Sequence, residues 1–109
     1  MVNDPLLASR VRQVLQDAPD LSESGFFNSI SFMVQGNMVC GVLGNRLLVR
    51  TGLRNWQDAL GQPHTWLFHI FGRPVPGYVL VGPEGLATDE DLRAWVQRGL
   101  DSALSLPPR

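Results

Sequence analysis

The stretch Phe26-Phe27-Asn28-Ser29-Ile30-Ser31-Phe32-Met33-Val34-Gln35-Gly36-Asn37-Met38-Val39-Cys40-Gly41-Val42-Leu43-Gly44-Asn45-Arg46-Leu47-Leu48-Val49-Arg50-Thr51 decides the fold. Phe26 to Val34 is rich in aromatic and β-branched residues and reads as a strand. Gln35-Gly36-Asn37 then supplies a turn that tolerates positive φ, and Met38 to Leu43 is a second apolar run, ended by Gly44-Asn45. Arg46 to Thr51 is a third run of strand length. Short turns between such runs imply antiparallel neighbours, because parallel strands need a crossover of about a dozen residues or more. Alternation along the third run puts Leu47 and Val49 on one face and Arg46, Leu48 and Arg50 on the other. One face of the sheet is therefore dry and the other mixed.

Upstream, Asp4 before Pro5 is a helix start: the carboxylate caps free amides and proline is pre-shaped for the first helical position. Leu7, Val11, Val14 and Leu15 follow at helical spacing, so the first element is an amphipathic helix. Pro19, Asp20, Ser22, Glu23, Ser24 and Gly25 read as a polar break before the first strand. Downstream, Gly52 interrupts, and Asn55 to Leu60 reads as a short helix stopped by Gly61 and Pro63. Trp66 to Phe71 and Tyr78 to Val81 read as two strands joined by a wide hairpin over Gly72-Arg73-Pro74-Val75-Pro76-Gly77, whose prolines cannot donate to a ladder. Thr88 caps a last helix with Asp89, Glu90 and Asp91 in its first turn and a stripe of Leu92, Trp95, Val96, Gly99, Leu100, Ala103 and Leu104. The expected fold is α+β in the order α-β-β-β-α-β-β-α: one domain over residues 1–109, an antiparallel sheet covered by helices on one face and free on the other.

Composition narrows the functional classes. At 109 residues, 44% hydrophobic and 17% charged, the chain is globular and long enough for one core. Nine basic residues, all arginine, against ten acidic ones give a net charge of -1, so the molecule as a whole has no field that draws it to phosphates or anionic lipid. The single Cys40 cannot form an intramolecular disulfide, and the start Met-Val-Asn-Asp-Pro lacks a basic stretch leading into an apolar run, so the expected compartment is the cytoplasm. No apolar run approaches the roughly 20 residues of a membrane helix, and no membrane association is expected.

Few residues carry chemistry. Cys40 with His64 or His69 could form a nucleophile and base, but Cys40 lies in the apolar run Met38–Val42 and reads as a buried small hydrophobe. One cysteine and two histidines five apart lack the ligand spacing of a zinc site. None of the glycines opens a helix in a phosphate-cradling pattern. Glu84, Asp89, Glu90 and Asp91 are accounted for mainly by helix capping, and Trp56, Trp66 and Trp95 by packing. The expectation is a non-enzymatic domain with no catalytic residues, no metal and no cofactor. Arg46, Arg50, Arg54 and Arg73 are the candidate site: arginines that converge can clamp a carboxylate or phosphate through paired hydrogen bonds.

The run Phe32 to Val42, then Leu47-Leu48-Val49-Arg50-Thr51-Gly52, then Phe71-Gly72-Arg73-Pro74-Val75-Pro76-Gly77-Tyr78-Val79 and Trp95-Val96, resembles the TfoX N-terminal domain family over nearly the whole chain. The resemblance implies the same α-β-β-β-α-β-β-α order in a two-layer, secretion-chaperone-like architecture. It also implies kinship with regulators of bacterial natural competence, in which this domain precedes a helical domain; with the sequence ending at Arg109, no second domain is expected here. Phe26-Phe27-Asn28-Ser29 departs from the Met-Phe-Gly-Gly stretch common in the family. The family supplies no catalytic residues to carry over. Together these readings predict a small cytoplasmic regulatory module that binds a protein partner or a second copy of itself through its sheet or sheet edge. The alternative is binding of an anionic ligand or of DNA through the arginine patch.

Overall fold

The computed structural model describes residues 3–26 and 28–109. The first helix, α1 (Pro5–Val14), begins where the capping signal lies. The Asp4 carboxylate accepts from the backbone N–H of Leu6 at 2.9 Å and of Leu7 at 3.3 Å. Leu7, Ala8, Val11 and Leu15 are buried along one stripe. The entry to α1 is tied down by Gly44, whose carbonyl accepts from Asp4 N–H at 2.9 Å and whose own N–H donates to Asn3 Oδ1 at 2.8 Å.

Six strands follow, interrupted by a short helix α2 (Trp56–Leu60) and closed by a 3₁₀ turn (Pro83–Leu86) and α3 (Asp89–Leu104). They are β1 (Leu21–Phe26), β2 (Ser29–Val34), β3 (Asn37–Leu43), β4 (Arg46–Arg50), β5 (Thr65–Ile70) and β6 (Arg73–Val81). All pairs are antiparallel and the spatial order is β1-β2-β3-β4-β6-β5. The α+β class and the succession helix, strands, helix, two strands, helix are those expected from the sequence, with one more strand before α2. The accessible surface, 6362 Å², is close to the roughly 6,000 Å² that a chain of this size exposes when folded.

Two local readings are corrected. Residues read as a polar break form β1, which pairs with β2 from Leu21 opposite Val34 to Phe26 opposite Ser29. What reads as one strand from Phe26 is therefore a hairpin, reversed at Asn28, which adopts φ 62°, a conformation asparagine tolerates. The polar alternation Ser22-Glu23-Ser24 suits an edge strand, where side chains meet solvent. Phe27, within the stretch compared with the family's Met-Phe-Gly-Gly, lies outside the described residues, as do Met1 and Val2 of the start read for a leader.

The second correction is at the β5–β6 hairpin, which is tight. Phe71 and Gly72 make the turn, and Pro74 and Pro76 lie inside β6. Proline is tolerated there because β4 pairs only with Tyr78–Val81, leaving Pro74 and Pro76 without a ladder partner on that side. The register jumps from His69 opposite Pro74 to Leu67 opposite Val79, so β6 bulges. The bulge is pinned at the Gly77 carbonyl, which accepts from Thr51 N–H (2.8 Å), Gly52 N–H (3.2 Å) and Thr51 Oγ1 (3.0 Å).

All three helices contribute to the core on one face of the sheet. Leu7, Val11 and Leu15 of the α1 segment, Ala59 of α2, and Leu92, Trp95, Val96 and Ala103 of α3 pack with Phe32, Val34, Val39, Cys40, Val42, Leu47, Val49, Val79 and Val81. In α3, Gly99 lies on the backbone of β3, so close that a Cβ there would overlap the Val39 carbonyl oxygen. The opposite face has its own smaller cluster of Met38, Leu48 and Phe68, ringed by Met33, Leu43, Ile70, Val75, Tyr78 and Leu80.

Candidate functional site

The helix-free face is built by strand alternation. In β4, Leu47 and Val49 join the helix-side core while Leu48 joins the opposite cluster, as the sequence implies. The register carries the same face outward from Leu48 to Leu80 of β6 and Trp66 of β5. Phe68 and Tyr78 meet with ring centres 6.4 Å apart and planes inclined at 50°. Trp66 is 49% exposed and carries the Arg46 guanidinium over its ring at 5.4 Å from the centre. Gly82 permits this placement, since a Cβ there would stand 2.8 Å from the indole.

Charge from the strands on this face has one sign, while Glu84 of the 3₁₀ turn brings Oε1 to within 3.8 Å of where a Gly82 Cβ would stand, beside the Trp66 ring. Of the ten carboxylates, only Glu23 lies on a strand, and it is engaged on the helix side by Arg12 of α1, with Nε–Oε2 at 2.6 Å and Nη2–Oε1 at 2.8 Å. The hydrogen bonds from Arg12 hold the Glu23 carboxyl below its ordinary pKa. Among the described residues the ion pairs are Arg10–Asp89, Arg12–Glu23 and Arg98–Asp58. Arg46, Arg50, Arg54 and Arg73 therefore hold no carboxylate.

The structure brings two of those four arginines together. Arg50 and Arg54 line one cavity of about 560 Å³ between the β4–α2 loop and the C-terminal end of α3, shared with Thr51, Asn55, Asp101 and Ser102. Arg46 and Arg73 do not line it: Arg46 sits on Trp66, and Arg73 opens β6 opposite Ile70. The last turn of α3 has no basic residue of its own, and the cavity places Arg50 and Arg54 at that end, where a helix favours positive charge. Asp101 on the same wall offsets them further. Arg50 also lines a smaller cavity of about 230 Å³ at the helix-free side, with Met33, Met38, Tyr78 and Arg109.

The remaining chemical candidates are placed plainly. Cys40 is fully buried in the helix-side core, and burial pushes its thiol pKa up, away from the thiolate. His64 and His69 are both exposed, so neither stands against Cys40 as a base. Among the described residues no three His, Cys, Asp or Glu side chains gather so as to hold a metal ion. Thr88 Oγ1 caps α3 by accepting from Asp91 N–H at 3.0 Å, and Asp89, Glu90 and Asp91 occupy its first turn, the positive end of its dipole. Trp95 is buried, and Trp56 Nε1 donates to the Tyr78 carbonyl at 2.9 Å. No described helix is long and apolar enough to cross a membrane.

Sequence reasoning assigned Trp66 to packing, whereas half of it is exposed, and did not single out the exposed Leu67 of β5 and Phe71 of its turn. The available signal was that Thr65-Trp66-Leu67-Phe68-His69-Ile70-Phe71 contains no Asp, Glu, Lys or Arg. Which strand lies at the edge is a matter of topology, and that was not legible locally.

An open antiparallel sheet, helix-covered on one face and bearing aromatics and unneutralised arginines on the other, defines a small two-layer α+β domain. The family model of the TfoX N-terminal domain matches residues 13–103, from the last two residues of α1 to the last turn of α3. The chain belongs to the TfoX N-terminal domain family. No curated protein matches it.

Proposed function

We propose that this domain is a non-enzymatic, regulatory protein-interaction module that works in the cytoplasm and binds its partner through the helix-free side of its sheet. The observation that carries this reading is the make-up of that side: an apolar cluster, an exposed Trp66 and arginines without carboxylates. Apolar groups give binding energy and unpaired charges give selectivity, the combination that interfaces use. Regulation, competence included, is the process that kinship with the family suggests. The test is a pull-down of the tagged protein from its host lysate, with and without nuclease, beside an Arg46→Glu, Trp66→Ala variant. The expected result is a stoichiometric protein that survives nuclease and is lost from the variant. Recovery of the same proteins on both baits, or of bait alone, contradicts the reading.

A second reading has one observation in its favour. Four arginines without carboxylates, one of them stacked on an exposed tryptophan, could hold an anionic ligand or nucleic acid. Titration with duplex DNA and with inorganic phosphate at low salt decides it. Binding that weakens with salt and with Arg50→Ala supports it, and no binding removes it.

A further inference from the structure

We propose that β5 is a docking edge that takes an extended, acidic segment of a partner protein as an added strand of the sheet. This rests on the interaction reading above and narrows it to a surface and a partner chemistry.

The sheet has two edges, β1 and β5, and they are finished differently. Sheets ordinarily blunt their edges with charge, proline, glycine or bulges, because unpaired N–H and C=O groups invite other strands. β1 is blunted: in Leu21-Ser22-Glu23-Ser24-Gly25-Phe26 the centre is polar, ends in a glycine and carries a charge held by Arg12. β5 is not. From Thr65 to Phe71 there is no Asp, Glu, Lys, Arg, proline or glycine, and the residues are strong strand formers. The register irregularity adds residues to β6 and leaves β5 extended. A seven-residue segment of this kind on an open edge is an aggregation hazard unless something occupies it.

The side chains agree with the backbone. Six large apolar residues are exposed among those described, and three of them are Trp66, Leu67 and Phe71. Phe71 is the most telling. It is 96% exposed and adopts φ 50°, followed by Gly72 at φ 76°, a two-residue turn in which Asn-Gly is the favoured pair. A bulky aromatic residue in the left-handed region is strained. In the free domain no burial of the ring offsets that strain. An exposed, strained aromatic at the end of an open edge is a preformed anchor for a partner.

Charge selects the occupant. Arg46 over Trp66 and Arg73 opposite Ile70 mark the two ends of the strand, and neither holds a carboxylate. A second copy of β5 would bring the same arginines and no acid on the strand itself, since the only acidic strand residue, Glu23, lies on the far edge and is engaged by Arg12. An extended segment alternating apolar residues with Asp or Glu satisfies the edge amides, the exposed rings and both arginines together.

The test is selection of a random displayed-peptide library on the immobilised full chain, followed by binding of the enriched peptides to variants. Peptides alternating Asp or Glu with β-branched or aromatic residues are expected. Their affinity should fall at least about tenfold on Leu67→Glu and on Phe71→Asn and stay unchanged on Arg50→Ala. Phe71→Asn restores the favoured turn pair and should raise the melting temperature, so loss of binding there cannot be charged to unfolding. Peptides lost on Arg50→Ala but kept by both edge variants would overturn the edge proposal while leaving an interaction module that uses the open face. Enrichment of neutral or basic peptides, or of none, also overturns it, and the lysate experiment judges the broader reading separately.

Discussion

At the scale of single residues, burial decides which reactive groups are available. Cys40 lies between Phe32 and Val49 in the strand register, with no solvent access, and its thiol pKa is raised by desolvation. Native alkylation with iodoacetamide should therefore run far slower than in urea, and fast native labelling would contradict the buried placement. The Arg12–Glu23 pair makes a second prediction. Because the folded Glu23 pKa is depressed, its stabilising effect is present above the ordinary glutamate range and is lost as pH falls through the lowered value. Both partners are substantially exposed, so the effect on stability is small, and an NMR titration of the Glu23 carboxyl is the better readout. Arg12→Ala should return that titration toward the ordinary glutamate value. An unchanged midpoint would contradict the pairing.

At the scale of elements, the tightest constraint is between α3 and β3. Replacing Gly99 with alanine gains about 1 kcal/mol of helix propensity but forces a methyl group into the Val39 carbonyl, and overpacking of this kind costs about 1–3 kcal/mol. Backbone cannot give way as a flexible side chain can, so the overlap should win and Gly99→Ala should lower the thermal midpoint by several degrees. A stability equal to or above wild type would mean that α3 does not pack on β3 as described. The helices were legible because their signals are local: Asp4 before Pro5 caps α1, Thr88 caps α3, and the apolar spacing names the faces they bury. β1 was not, because an edge strand is polar by necessity and Ser22-Glu23-Ser24 looks like loop until a neighbour pairs with it. The prolines of β6 misled for a related reason. They forbid a ladder only where a strand needs its N–H groups on that side, and residues 73–77 have no β4 partner.

At the scale of the whole molecule, one chain makes a sheet with unequal sides. Helical stripes from α1, α2 and α3 cover one face, and the other is left with a smaller apolar cluster, Arg46, Arg50 and the exposed Trp66. The alternation of Arg46-Leu47-Leu48-Val49-Arg50 was enough to foresee a dry face and a mixed one. It could not show that Arg50 and Arg54 share a cavity at the end of α3 while Arg46 lies on an indole, because those neighbours come from distant parts of the chain. The central claim is that partners meet the helix-free side. A photo-crosslinking residue placed at Arg46 or Trp66, and in separate chains at Arg93 or Gln97 on the exposed side of α3, tests it directly in host lysate. Specific protein adducts from the two sheet positions and none from α3 are the predicted result. Adducts from α3 alone, or equally from both sides, would contradict it.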